Sequence, residues 1–439
     1  MSHTRTGKFP IGFRRIASAW QRDLQTVIDF AKANRFAGID VDAVTPANIQ
    51  SIASAGLRIG MVRNFFTQRS FRNCILGLGL FLGLGARAPN TYAHPRPAVT
   101  VGVYYFDGWN YKNSHLTKEL ATRFAYRKPI WGWYDNTEAI MREQIDLAAD
   151  HDIAFFAFDW FYKTVANNHA LHLFLKASNR NRMKFCVMLT STITPKEWNN
   201  CSRRLLAYFK QPTYLRLRGQ AFLIIYNPGG LIHNFGGVAA MRKAFGQLRA
   251  KAKKEGIPGI QIAGIHSPVN LNNLVQAGYN EVTGYKYRPF RYDAFVLHSR
   301  PKPFSELIAS SRRKFNTFVG APLLYIPAIT VGCDHRGTND FRPSDWFPRT
   351  PHYLERFVRM GVRWIYHFHH GSSSPAKRVL MLGAWNEYGS DAFLTPTASR
   401  GDAYLDAVKR AVATPPNAYS GELPAMREIV KPPHSSGDK

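Results

Sequence analysis

Eight short hydrophobic runs recur from residue 99 onward, each rich in β-branched and aromatic residues. They span 99–109, 153–162, 184–190, 220–227, 260–266, 281–287, 323–329 and 378–388. Their apolar positions are continuous rather than alternating, which predicts strands covered on both faces and therefore a parallel sheet. Eight such strands over about 290 residues predict an α/β fold of the (β/α)8 TIM barrel type. An open doubly wound sheet is the alternative, but no GxGxxG turn follows the first run.

The stretches between the runs carry helical periodicity. "TEAIMREQIDLAADHD" follows the first run, and "VAAMRKAFGQLRAKAKKEG" ends at Gly256, a residue that commonly stops a helix. The strands and helices therefore alternate along the chain, as a barrel requires.

Polar and aromatic residues gather where the predicted strands end. In a (β/α)8 barrel these ends meet at one rim, where the chemistry takes place. The rim candidates are Asp107, Trp109, Asp159, Trp160, Thr190, Tyr226, Asn227, His266, Tyr285, Tyr287, Asp334, Asn386, Glu387 and Tyr388. Rings that stack on sugar faces, beside acids and amides that bind hydroxyls, favour a carbohydrate ligand. For each acid, a helix cap or a salt-bridge partner is the structural alternative.

The chain is strongly basic, with a net charge of +29 over 439 residues. The basic residues are dispersed, which is typical of a solvated cationic surface and also compatible with an anionic polysaccharide partner. A nucleic acid partner is not expected, because the sequence has no zinc-finger spacing, basic heptad helix or aromatic RNA-binding signature.

No cofactor or metal is expected from the motifs. The four cysteines form no CxxC pair, and neither a P-loop nor a GxSxG motif is present. His367, His369 and His370 are predicted to lie in a loop before strand eight, away from the rim.

Residues 61–93 have the order of a secretory signal peptide. Met61 is followed by Arg63, Arg69 and Arg72, then by the apolar "CILGLGLFLGLGA", then by a small-residue ending at Ala93. The apolar run is shorter than the roughly 20 residues that span a bilayer. We therefore expect a secreted or periplasmic monomer without a stable membrane span after cleavage.

The domain boundaries follow from this reading. Residues 1–60 are interpreted as an upstream artefact or fusion scar, with a weak resemblance to the start of a xylose-isomerase-like barrel. Residues 94–414 form the barrel, and the proline-rich residues 415–439 form a tail.

Five motifs resemble the glycoside hydrolase family 99 and 71 group and its WbsX-like relatives: "YYFDGW", "FDWFY", "YLRLRGQAFLIIY", "CDHRGTNDFR" and "GAWNEYGSDAFLTPT". The resemblance covers about residues 99–413 and implies a (β/α)8 barrel. Residues 385–388 match the first four positions of the family's W/F-N-E-W-x-E motif. Trp160 matches a tryptophan that ends the family's second strand.

The resemblance implies that Glu387 is the base that acts on a sugar 2-hydroxyl. The second glutamate of the motif is replaced by Ser390, which cannot donate a proton as a carboxylic acid would. The asparagine–glutamate pair that follows strand three in WbsX-like members is also replaced, by "TSTIT".

We therefore expect an exported glycoside hydrolase with Glu387 and Asp391 as catalytic residues. Asp107, Asp159 and Asp334 are alternatives for the second carboxyl group. We further expect Trp109, Trp160 and Tyr287 to line one pocket with Glu387. The alternative function is a non-hydrolytic carbohydrate-binding or glycosyltransfer-associated protein on the same fold.

Export through residues 61–93 predicts the start of the mature protein. N-terminal sequencing of secreted material should begin near His94, because the small-residue ending at Ala93 is the predicted cleavage site. Mature protein that retains Met1 would contradict this prediction.

Overall fold

In the computed structural model, the chain is described over residues 38–43, 58–64, 99–111, 113–135, 137–267, 271–287, 300–338, 346–369 and 378–413. It divides into two compact units, Met1–Tyr92 and Ala93–Lys439. In the first unit the described residues are a parallel pair, β1 (Gly38–Ala43) and β2 (Arg58–Asn64). Residues 65–93 of the expected signal peptide and the tail from 415 lie outside the described residues, so those predictions stay open.

The second unit contains strands that match the eight hydrophobic runs, together with several short strands that pair antiparallel. In chain order the strands are β3 (Thr100–Tyr105), β4 (Trp109–Asn110), β5 (Asn113–Ser114), β6 (Ile153–Trp160), β7 (Lys184–Leu189), β8 (Arg216–Leu217), β9 (Gln220–Ile225), β10 (Ile260–Ile265), β11 (Glu281–Thr283), β12 (Leu324–Ile326), β13 (Ala328–Thr330), β14 (Val379–Gly383), β15 (Asn386–Glu387) and β16 (Ala392–Phe393).

The main sheet closes on itself. Its strand order is β12-β11-β10-β9-β7-β6-β3-β14-β13, and every pair along this path is parallel. Only Pro327 separates β12 from β13, so these two segments form one interrupted strand that pairs with β11 on one side and β14 on the other. The predicted (β/α)8 barrel is confirmed, and the open doubly wound sheet is wrong.

Helices cover the outside of the barrel. They are α1 (Lys118–Ala121), α2 (Glu138–Asp150), α3 (His169–Lys176), α4 (Pro195–Phe209), α5 (Pro228–Asn234), α6 (Val238–Lys254), α7 (Leu271–Ala277), α8 (Phe304–Asn316), α9 (Pro351–His369) and α10 (Ala403–Ala413). Both quoted helical patterns form helices, α2 and α6, and Gly256 follows α6 with a φ of 77°. His367 and His369 lie in α9, which corrects their predicted place in a loop.

Several strands end earlier than the hydrophobic runs suggest. β3 stops at Tyr105, and Trp109 belongs to the separate ribbon β4–β5. Similarly, β14 stops at Gly383, and Glu387 lies in the antiparallel ribbon β15–β16. Apolar residues in and beside these ribbons pack in a second small core. The hydrophobic runs in the sequence therefore continue past the ends of the barrel strands. Both ribbons follow the carboxyl ends of barrel strands.

The barrel interior leaves no room for a side chain at Gly102. A Cβ there would lie 2.0 Å from the Phe155 ring on the neighbouring strand, and both residues are buried. Gly102→Ala should lower the free energy of unfolding by about 1–3 kcal/mol through overpacking. Gly246→Ala in the exposed part of α6 is the matched control, because no atom lies within 4 Å of its added Cβ. It should be stabilising, by about 0.5–1 kcal/mol. Urea denaturation of both variants tests this, and equal effects would contradict the packing argument.

Candidate active site

Three side chains from different barrel strands meet at the carboxyl end of the barrel. Asp159 is the next-to-last residue of β6, Tyr285 follows β11, and Glu387 follows β14. The Tyr285 hydroxyl donates to Glu387 Oε1 at 2.5 Å and lies 3.3 Å from Asp159 Oδ2. The phenol carries one hydrogen, so both contacts are hydrogen bonds only when Asp159 is protonated and donates to the phenol oxygen.

A lysine completes the arrangement on the other side of Glu387. Lys286 Nζ forms an ion pair with Glu387 Oε2 and donates to Ser390 Oγ at 3.1 Å. Ser390 Oγ in turn donates to Glu387 Oε2 at 2.8 Å. Both oxygens of Glu387 therefore accept hydrogen bonds.

The surroundings push the pKa values of the two carboxyl groups apart. Burial alone would raise the pKa of Glu387, but the Lys286 charge and the donors Lys286, Tyr285 and Ser390 hold it below its ordinary value. Burial, and then the charge of Glu387, raise the pKa of Asp159 well above its ordinary value. Asp159 Oδ1 is also buried without a hydrogen-bond partner among the described residues, which disfavours its ionised form. The surroundings thus favour the ionised form of Glu387 and the protonated form of Asp159.

The site is open to solvent on the side of Tyr226. The Tyr226 ring is 45% exposed and meets the Tyr285 ring edge to face, with centroids 5.8 Å apart. Glu387 and Lys286 keep 16% and 10% of their side chains exposed. His266 is half-buried beyond β10, and its Nδ1 contacts the Ser267 carbonyl oxygen at 2.6 Å.

A buried network fixes the backbone that carries Glu387. Asn386 accepts from the Phe106 N–H at 2.9 Å and donates to the Phe106 carbonyl at 2.8 Å. Trp109 Nε1 donates to the Asn386 carbonyl at 2.7 Å, and the Trp109 and Tyr388 rings pack together. Asn386, Trp109 and Tyr388 are fully buried, so they position Glu387 and do not present a free surface to a ligand.

Two further aspartates beneath the rim have structural contacts. Asp107 accepts from Asn110 Nδ2 at 3.0 Å and from the Ala170 N–H at 2.7 Å in the first turn of α3, and burial raises its pKa. Asp135 was missed by the sequence analysis. It accepts from Tyr105 Oη at 3.0 Å and from Asn386 Nδ2 at 3.3 Å, and burial raises its pKa to about 7. No pattern marks it, because its loop is not at a strand end.

Asp391 does not lie beside Glu387, which corrects its expected pairing with that residue. A short 3₁₀ turn over Tyr388–Ser390 precedes it, and its own left-handed backbone, with a φ of 54°, reverses the chain. Its carboxylate lies 3.2 Å from Arg349 Nε and 3.6 Å from Arg127 Nε. Asp334 joins the same group, because it contacts Arg127 Nη2 at 2.5 Å and Arg336 Nε at 2.8 Å.

The expected pocket of Trp109, Trp160 and Tyr287 around Glu387 is also wrong. Trp160 is buried between β6 and α4, with its ring 5.7 Å from that of Tyr208. Tyr287 turns to the outer layer, where its hydroxyl lies 3.0 Å from that of Tyr325. Successive residues of a strand face opposite sides, so Asp159 inside the barrel requires Trp160 outside.

Lys286 is the residue of the site that the sequence analysis missed. It stands in "GYKYR" directly after a buried strand, where a cation between two tyrosines was a usable signal.

Within the described ranges, no three His, Cys, Asp or Glu side chains come together as a metal site, and no helix is long and apolar enough to span a membrane. Cys186 and Cys201 are buried free thiols.

The Lys286–Glu387 pair predicts a pH-dependent loss of stability. In Lys286→Met, Glu387 becomes an unpaired buried carboxylate at pH 7, which should cost about 3 kcal/mol of unfolding free energy. The pKa of Glu387 is lower in the folded chain than in the unfolded chain, so the wild-type ion pair stabilises the fold at pH values above the pKa that Glu387 has when unfolded. This stabilisation is lost as the pH falls through the pKa that Glu387 has when folded. In the variant, burial raises this pKa, so Glu387 is neutral at pH 4. The destabilisation should therefore be smaller at pH 4 than at pH 7.

Urea unfolding at both pH values measures this difference. Lys210→Met is the matched control, because it breaks the exposed ion pair with Glu255 and should cost under about 1 kcal/mol. The double variant Lys286→Met/Glu387→Gln should lose the pH difference. If Lys286→Met behaves like Lys210→Met, the ion pair does not hold Glu387 in its charged form.

Two solved structures share the fold of this chain. The GH99 endo-alpha-mannosidase from Bacteroides thetaiotaomicron superposes with a TM-score of 0.51 over 71% of this chain and 96% of its own, at 14% sequence identity. A glycoside hydrolase-like protein superposes with a TM-score of 0.53 over 75% of this chain and 97% of its own, at 16% identity. At these identities the likeness shows the fold alone. None of the curated protein sequences compared with this chain matches it.

A family match supplies the relationship. The family described as "Glycosyltransferase WbsX" matches residues 181–408, which is just over half of the chain. The match contains Tyr285, Lys286 and Glu387, and it confirms the resemblance seen in the sequence motifs. The chain therefore belongs to the glycosyltransferase WbsX family.

Proposed function

We propose that this protein is an exported glycoside hydrolase that acts on a polysaccharide or glycan, with Glu387 and Asp159 as its carboxyl pair. The observation that carries the proposal is the Tyr285 hydroxyl, which bridges the two groups. Glycoside cleavage uses one ionised and one protonated carboxyl group on opposite sides of the scissile bond. Here the surroundings lower the pKa of one and raise the pKa of the other.

The spacing of the pair indicates the stereochemical course. The two oxygens bridged by Tyr285 lie at most about 6 Å apart, nearer the roughly 5–5.5 Å of retaining enzymes than the longer spacing of inverting ones. In this proposal the bond from the anomeric carbon to the leaving oxygen breaks as a new bond forms to that carbon, either from ionised Glu387 or from the sugar 2-hydroxyl oxygen, whose proton Glu387 takes. Water then displaces that oxygen from the anomeric carbon and completes the hydrolysis.

Tyr285 delivers the proton in this mechanism. Asp159 is only 7% exposed, whereas the half-buried Tyr285 borders the exposed Tyr226. Burial raises the pKa of Tyr285 well above its ordinary value, so the phenol is protonated at neutral pH. The leaving oxygen takes the phenol hydrogen, and the Asp159 proton replaces it on Tyr285.

A carbohydrate substrate is supported by the family name, by the fold shared with an endo-alpha-mannosidase and by the exposed ring of Tyr226. Export and a secreted or periplasmic location are proposed from residues 61–93 alone.

A non-hydrolytic carbohydrate-binding or glycosyltransfer-associated role is a second candidate function. Lys286 forms an ion pair with Glu387, and Ser390 stands at the position where the resembling hydrolases have an acid. An ion-paired Glu387 is a weaker nucleophile than a free carboxylate, which favours binding or transfer over cleavage.

Substitutions of the pair test the hydrolytic function. On a polysaccharide identified by screening a glycan panel, Glu387→Gln should lower kcat at least about 100-fold, and Asp159→Asn nearly as much, because each loses one of two required proton-transfer states. Asp150→Asn, at an exposed ion pair with Arg182, is the control and should keep full activity. Full activity in Glu387→Gln would refute the site. Glycans that bind but are never cleaved would favour the second candidate.

A further inference from the structure

A second cleft lies beside the segment that carries Glu387, where Asp391 and Phe393 of that segment line it. We call it the arginine cleft, defined by Arg336, Arg349, Arg400, Tyr126, Trp346 and Tyr404. None of these residues was expected at a site, and none contacts Glu387 among the hydrogen bonds and ion pairs of the described residues.

The acids on the floor of the cleft are already paired. Asp334 accepts from both Arg127 and Arg336. Asp391 accepts from Arg349 and lies 3.6 Å from Arg127. The Arg336 and Arg127 donors outweigh burial and hold the pKa of Asp334 below its ordinary value, so it stays ionised. These carboxylates have little capacity left to bind a cation.

The mouth of the cleft has an uncommitted positive charge. Arg400 is exposed, its guanidinium lies 5.6 Å from the Tyr404 ring centroid, and it has no ion pair or side-chain hydrogen bond with the residues that the structure describes. Four guanidinium groups, those of Arg127, Arg336, Arg349 and Arg400, therefore surround two carboxylates. The surplus positive charge favours an anionic ligand.

Aromatic rings supply walls that suit a sugar. The Arg336 guanidinium stacks 3.6 Å above the Trp346 ring, and that of Arg349 lies 4.0 Å from the Tyr404 centroid. Tyr126 is 48% exposed, and its hydroxyl accepts from Arg127 at 3.4 Å, so the phenol hydrogen can donate to a ligand. An aromatic ring can pack against the face of a sugar, and a guanidinium group beside it can donate two parallel hydrogen bonds to a carboxylate on the same sugar.

The cleft and the catalytic site share one segment of backbone. The Asp334 N–H donates to the Ser390 carbonyl at 2.8 Å, while the Ser390 hydroxyl donates to Glu387. The floor of the cleft and Glu387 are therefore separated only by this short segment.

From these observations we infer that the arginine cleft is a subsite for a carboxylated sugar residue, held through its carboxylate by Arg400 and through its ring by Trp346 and Tyr126. The inference rests on the proposed function for the presence of a glycan. It adds that this glycan carries acidic sugars.

The test compares an acidic oligosaccharide with its neutral counterpart. Calorimetric titration of the full chain with trigalacturonate and with its carboxyl-reduced form should show at least about 10-fold tighter binding of the acidic form at low salt. Arg400→Gln should weaken trigalacturonate binding about 10-fold and leave the reduced form unaffected. Arg312→Gln, which removes an exposed charge from α8, is the matched control and should change neither.

Equal affinity for the two oligosaccharides would overturn the inference, as would equal losses in Arg400→Gln and Arg312→Gln, since these would indicate only general charge attraction. Arg400→Gln leaves the buried Asp334 and Asp391 pairs intact, so a folding defect is not expected, and circular dichroism checks this. Binding in Glu387→Gln separates the two proposals. Normal trigalacturonate binding by this variant, together with no cleavage of any glycan in the screened panel by the wild type, supports the subsite while the proposed hydrolytic function fails.

Discussion

The hydroxyl of Tyr285, which contacts two carboxyl groups of low exposure, is the centre around which the candidate active site is organised. A single phenol hydrogen cannot satisfy two carboxylates, and two negative charges held this close in a low-dielectric interior repel each other. Lys286 resolves the conflict, because its charge favours the ionised form of Glu387 and leaves the proton on Asp159. Under the proposed function, the lysine thus decides which carboxyl group acts as the base and which supplies the proton.

The segment from Asn386 to Phe393 is fixed from both sides. Below it, Asn386 and Trp109 tie it to the first barrel strand, in a cluster that excludes water. Above it, Arg127 and Arg349 bind its carbonyl oxygens, including those of Tyr388 and Phe393. Because these guanidinium groups also neutralise Asp334 and Asp391, the same contacts that hold the segment shape the arginine cleft. Rigidity at Glu387 and positive charge beside it therefore have one structural origin.

Local patterns determined the barrel. Continuous apolar runs such as 153–162 fix strands that must be covered on both faces, and the intervening helical periodicity covers them, so closure into eight parallel strands follows from burial. The same local chemistry marked Glu387 as a candidate, since a carboxylate at the end of a buried run has few structural reasons to be there. The candidates Tyr226, Tyr285 and Asp159 lie at the same end of the barrel as Glu387.

Side-chain direction and partnership could not be read from the chain. Whether Asp159 or Trp160 faces the axis depends on the register of β6 against its neighbours, because a shift by one residue exchanges the two faces. Asp391 is one residue from Ser390, yet a left-handed turn sends it to Arg349 instead of Glu387. Asp135 and Lys286 acquire their roles only from residues 251 and 101 positions away along the chain. The burial preferences of individual residues were thus enough to predict the barrel and the polar residues at its rim. Which charged groups meet depends on contacts between distant parts of the chain, so it could be seen only in the folded protein.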